Sequence, residues 1–174
     1  MKEYDIRKLI DNSSYLHEKI AELKQKKCIF SQDIDTNEIE GHILKAENNL
    51  RFITTIMEKK FFDWALSGCY YACYHAALAL IQTKGFTSKN HLATLCIIIK
   101  EFYNRGLNQE DIEIFNHFLD YEDVLFYVES KNKRENATYS TKTLFDKKEV
   151  EKLRIQTVLF VNKIKTVFEY RLQD

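Results

Sequence analysis

No proline interrupts this chain of 174 residues, and only four glycines do. Proline lacks a donor N–H and glycine costs backbone entropy, so both punctuate strand-rich and loop-rich chains. Their scarcity steers the sequence toward long helices joined by short connections. Apolar periodicity agrees. In residues 2–27, Ile6, Leu9, Ile10, Leu16, Ile20 and Leu23 recur at helical spacing. A second helix is expected over 35–59, with Asp35 and Glu38 as a capping box and a stripe of Ile39, Ile43, Ala46, Leu50, Ile53 and Met57. A third covers 61–84, with Gly85 just past its end. A fourth covers 89–103, capped by Ser88 and ended by Gly106. A fifth starts after the cap Asn108 and runs through Phe115, Phe118 and Leu125. A last helix follows the Asp146/Glu149 capping box to about residue 172.

Six helices with short loops predict an all-α fold, an antiparallel up-and-down bundle in a single domain over 1–174. Residues 1–34 read as an N-terminal helical extension and 35–174 as the core. The third helix is its centre. Gly68, Cys69, Ala72, Cys73, Ala76 and Ala77 give it a small-residue face, expected against the second and fifth helices. Phe61, Trp64, Tyr71 and Leu78 form its bulky side.

Composition removes several classes of function. The 26 basic and 26 acidic residues balance and intersperse, so no overall field draws nucleic acid in. Residues 61–81 are long enough to cross a bilayer, but Asp63, His75 and the tyrosine hydroxyls would need partners in lipid. A buried central helix explains the same composition, and no membrane is expected. The charged start of the chain lacks the apolar stretch of a secretion signal, which predicts a cytoplasmic protein with four reduced thiols. Cys69 and Cys73 share a helix face, but two thiols are too few for a metal, and neither metal nor cofactor is expected.

Chemistry-bearing residues concentrate in two places. His75 sits among Tyr70, Tyr71 and Tyr74, and Lys89 and His91 open the fourth helix, where free N–H groups favour anions. Core histidine and capping cluster are the plain readings of these. Arg134 and Tyr139 stand among Lys131, Lys133 and Lys142. A solvated helix end is the plain reading there.

Three stretches in combination resemble the HEPN family of helical domains. They are "KAENNLRFI", the tyrosine-rich "ALSGCYYACYHAALALIQTKGFTSKNH" with its glycine break and lysine–histidine restart, and "KRENATY", which is similar to an R-x-x-A-x-Y element of one prokaryotic branch. The resemblance implies a four-helix core, often a homodimer. It implies either a metal-independent ribonuclease or a non-catalytic member, in toxin–antitoxin or defence systems, with a minimal nucleotidyltransferase as a common partner. Its arginine element falls at Arg134 with Tyr139, and phosphate or nucleotide contacts are expected at Arg134, Tyr139, Lys133, Lys89, His91 and His75. Nuclease members carry arginine followed by histidine after four to six residues. Here Tyr139 stands after four, and Ser140, Thr141 and Lys142 follow. Tyrosine, with a pKa of about 10, is a poor proton acceptor at neutral pH, whereas histidine titrates at about 6.5. The departure predicts a protein that grips phosphate without cleaving RNA. A metal-independent ribonuclease and a purely structural bundle are the alternatives.

Overall fold

A computed structural model describes residues 5–119 and 146–171. The expected all-α bundle is what these residues form, with seven helices and one small sheet among them. The helices are α1 (Ile6–Asp11), α2 (Ser13–Gln25), α3 (Thr36–Glu58), α4 (Phe62–Gln82), α5 (His91–Phe102), α6 (Gln109–Leu119) and α7 (Lys147–Arg171). Strands β1 (Ile29–Ser31) and β2 (Phe86–Ser88) pair antiparallel, with Phe30 opposite Thr87.

The single N-terminal helix expected over 2–27 is two. Asn12 leaves the helical conformation and its side chain accepts the Tyr15 N–H at 2.9 Å, ending α1 and starting α2. A short polar side chain that bonds its own backbone competes with helix in this way. Asp35 caps α3 as expected, accepting from Asn37 N at 2.9 Å. Glu38 does not close the box; its carboxylate accepts from Gln32 Nε2 at 3.1 Å. Asn108 and Asp111 cap α6 reciprocally, at 3.0 and 2.9 Å, and Asp146 caps α7 through Glu149 N at 2.9 Å.

α5 starts later than expected. Its cap is Asn90, which accepts from Ala93 N at 2.8 Å, while Ser88 ends β2 and pairs with the Thr94 hydroxyl at 2.6 Å. The reason lies in Gly85. α4 stops at Gln82, and Gly85, at φ +69°, turns the chain into β2 rather than merely closing the helix. Its carbonyl accepts from Gln32 N at 2.9 Å, tying β2 to the segment after β1. A Cβ there would stand 2.9 Å from the Gln32 carbonyl oxygen, so glycine is required twice over.

α4 is central, buried along most of its length. It runs antiparallel to α3, with His42 level with His75 and Ile53 level with Gly68. Gly68, on its small-residue face, meets Ile53 and Phe52 of α3 as expected. Among the described residues its other main partner is α7, with a lighter contact to α6, and the buried Cys69 and Cys73 thiols reach Thr157 of α7. Burial pushes the Cys69 thiol up to about 12, so these sulfurs stay protonated and act as small apolar groups. The bulky side divides. Leu78 is buried, while Phe61, Trp64 and Tyr71 stand exposed. Phe115 of α6 stacks on Phe160 of α7 at 5.7 Å between centroids, and α1 and α2 pack on α5.

Gly68→Ala tests the central seam. An added Cβ would lie 2.7 Å from Ile53 Cγ1 and 3.2 Å from Phe52 Cδ1. Alanine gains about 1 kcal/mol of helix propensity over glycine, but overpacking costs about 1–3 kcal/mol. Thermal melts should show Gly68→Ala destabilising the parent chain and becoming neutral or stabilising in an Ile53→Ala background, a coupling that two separate sites would not give.

Candidate functional site

The tyrosine-rich turns of α4 place a run of rings between α3 and the start of α5. Residues 70 and 74 are one helical turn apart and reach toward α5; residue 75 turns toward α3. His91, the first residue of α5, is 7% exposed, and its ring centroid lies 4.2 Å from Tyr74 and 4.9 Å from Tyr70. The Tyr70 hydroxyl pairs with Nε2 of His91. On the other side of Tyr74, His75 has its centroid 6.2 Å away. His75 Nδ1 in turn faces His42 Nδ1 at 2.9 Å. His42, His75, Tyr74, His91 and Tyr70 thus form one continuous series across three helices.

Burial sets the electrostatics of that series. It lowers His91 to about 4, and lowers His75 to about 4 with help from the neighbouring His42 and Lys45. His42 is lowered for the same reason, burial first and Lys45 second, with Glu38 opposing. All three imidazoles are therefore neutral at pH 7. Between two neutral rings, one Nδ1–H donates to the other ring's lone pair; two imidazolium ions would bring two hydrogens face to face. The arrangement holds acceptors and ring faces, not positive charge.

Two of the sequence-predicted residues, His75 and His91, come together in this series. Lys89 does not. It precedes α5 rather than opening it, its N–H donates to the Cys28 carbonyl at 3.0 Å, and its ammonium lies 4.7 Å from the Phe30 ring centroid. That position clasps β1 to β2. Asn90 caps the α5 N-terminus at Ala93 N, so one backbone donor of the expected anion site of Lys89 and His91 is engaged by the chain itself. Arg134, Tyr139 and Lys133, with Lys131 and Lys142, lie outside the described residues. His42 was not singled out from sequence, because its partner is 33 residues away and only the α3–α4 register brings them together. A separate groove of about 490 Å³ between α6 and α7 is lined by Glu110, Glu113 and Glu149 against Lys152, a balance that suits no phosphate.

The HEPN domain family matches residues 39–167, from the first turn of α3 almost to the end of α7. The chain belongs to the HEPN family. It is also 31% identical over 147 residues to a Methanocaldococcus jannaschii protein named "Putative toxin MJ0142", covering 84% of this chain and 86% of that protein. A second protein of that organism, "Putative toxin MJ0605", is 30% identical over 139 residues, covering 80% of this chain and 94% of its own length. α1, α2 and β1 precede the HEPN match. No helix among the described residues is long and apolar enough to cross a membrane.

The ring series carries a pH signature. Folded His91 titrates near 4, while the unfolded chain takes its proton at 6.5, so the folded state binds fewer protons between them. Stability is full above pH 6.5 and falls as the pH drops toward about 4, by up to about 3 kcal/mol from His91. His75 acts in the same direction. Denaturant melts of His91→Gln should fall less steeply over that window than those of the parent, since the carboxylates common to both chains cancel in the difference.

Proposed function

We propose that this chain is a toxin-type HEPN protein that works with an antitoxin partner of the nucleotidyltransferase kind. The observation that carries the reading is its likeness, over four fifths of its length or more, to two relatives named as toxins. In this reading the chain binds RNA or nucleotide phosphate without cleaving it well on its own. Arg134 grips the phosphate as a bidentate fork, with Lys133 adding charge and the Tyr139 hydroxyl donating a hydrogen bond.

The proton chemistry supports a weak or absent nuclease. Metal-independent RNA cleavage needs one group to accept the 2′-hydroxyl proton and another to protonate the leaving oxygen. No histidine follows Arg134 within reach in sequence. His91 is buried against Tyr70, and His42 and His75 are bonded to each other. Held neutral by burial, they are poor acids at pH 7.

A homodimer belongs to the same reading. Trp64 and Tyr71 lie on one stripe of α4, 41% and 37% exposed, with Phe52 of α3 beside them at 40%. Such aromatic surface favours a partner with an apolar face, and a second copy supplies the same face by two-fold symmetry.

Two measurements test these statements. RNA incubated with the purified chain in chelator should stay near background, because general acid–base help is commonly worth about a hundred- to ten-thousand-fold. Tyr139→His should raise cleavage in chelator if the phosphate clamp is intact. Strong parental cleavage abolished by Arg134→Ala would overturn the non-catalytic reading in favour of a ribonuclease. Light scattering at micromolar concentration should give the dimer mass, and Trp64→Asp with Tyr71→Asp should give the monomer. Trp64 is the sole tryptophan, so its emission should shift to the blue as the protein is concentrated.

A further inference from the structure

The histidine pair at the α3–α4 seam is built in a way that phosphate recognition does not use. We propose that His42 and His75 form a two-imidazole chelate for a borderline-soft divalent ion, of the class of Zn²⁺, Ni²⁺ or Cu²⁺. The proposal is independent of the toxin reading and rests on the seam alone.

The geometry is close to that of a bound ion. The Nδ1 atoms face each other at 2.9 Å, with ring centroids 5.1 Å apart and ring planes 31° from parallel. Metal–nitrogen bonds of about 2.0–2.1 Å at a tetrahedral angle place two ligand nitrogens about 3.3 Å apart. The rings therefore need to separate by a few tenths of an ångström and to turn, so that both lone pairs converge on a point off the N–N line. Both lie inside regular helices whose separation is fixed by Gly68 against Ile53. Ligands on rigid, packed elements are prepaid in orientation.

The donor chemistry selects the class. Two imidazole nitrogens suit zinc, nickel and copper and not calcium or magnesium, which take oxygen ligands. Both rings are neutral at pH 7 through burial, the state that coordination requires. Binding needs no net proton release: the ring that carries hydrogen on Nδ1 shifts it to Nε2, and both Nδ1 lone pairs turn to the ion. The charged neighbours are Lys45, which opposes a cation, and Glu38, which favours one at His42. Lys45 is the stronger of the two at His42 and acts alone at His75, so the bond to the two nitrogens has to outweigh that charge. Among the described residues no set of three or more histidine, cysteine, aspartate or glutamate side chains is placed to hold a metal. The site is thus open, with two protein ligands and its remaining positions left to water. Cys69 and Cys73 are buried and protonated, so they offer no thiolate ligand.

The test is a titration of the full chain, stripped with chelator and dialysed, with ZnCl₂ and NiCl₂ by calorimetry at pH 7.5. One ion per chain is expected. His42→Ala and His75→Ala should each weaken binding about tenfold or more, since even outer-shell changes cost that much. His17→Ala, in α2, should leave it unchanged. Zn²⁺ should raise the melting temperature of the parent and not of either variant, because the ion ties α3 to α4 only in the folded state. Should an alanine variant fail to fold, Cu²⁺ electron paramagnetic resonance on the parent decides the matter. A two-nitrogen coupling pattern supports the chelate, and a pattern without coupled nitrogen overturns it. Equal uptake by the parent and both folded variants, or no uptake by the parent at submillimolar ion, would equally overturn it.

Discussion

The close approach of α3 to α4 at Gly68 is the contact on which the rest depends. A hydrogen in place of a side chain lets Ile53 sit against the α4 backbone. Once that distance is set, the antiparallel register is set as well. His42 comes level with His75, Ala46 and Ile53 are fully buried, and the opposite face of α4 is free to carry Cys69 and Cys73 to α7. Helices that pack this closely tolerate little change of volume on either side, because a protein interior is filled at crystal density. The chemistry of the seam is therefore a consequence of packing, not a feature added to it.

Burial has opposite consequences for the two kinds of titratable group along α4. Thiols lose their nucleophilic form, since desolvation raises their pKa, and imidazoles lose their acidic form, since desolvation lowers theirs. One physical term thus silences the cysteines and leaves the histidines as neutral lone-pair donors. That is why the tyrosine–histidine run is poorly suited to protonate a leaving group and well suited to accept hydrogen bonds or an ion. The basic stretch around Arg134 carries charge instead of lone pairs.

Helix content and most helix ends were legible in the sequence because they are local. Asp35, Asn108 and Asp146 cap where their spacing says they should, each through a bond spanning two or three residues. What the sequence hid was long-range. β1 and β2 are three residues each, too short to show alternation, and they pair across the whole of α3 and α4. That pairing moved the start of α5 from residue 89 to His91 and turned Lys89 from a helix-end cation into a clasp over Phe30. The site was half legible. His75 and His91 stood out as polar residues in an apolar run, but His42 lies in an ordinary amphipathic helix with nothing local to mark it. The packing of α7 on α4 was not legible because small-residue faces say how near a neighbour comes, not which neighbour it is.

Trp64, Gly68, Tyr71 and His75 follow one another along α4 at steps of four, three and four residues, which keeps them on a single stripe. Gly68 brings α3 in at the middle of that stripe, and Phe52 flanks it. The exposed aromatic surface and the histidine pair are thus two ends of one edge of the α3–α4 seam. Any molecule that covers Trp64 and Tyr71 approaches His75 as well, and further desolvation would hold both imidazoles still more firmly neutral. Coupling between a docked partner and the histidine pair therefore needs no conformational relay. It follows from a shared helix stripe and the loss of water from it.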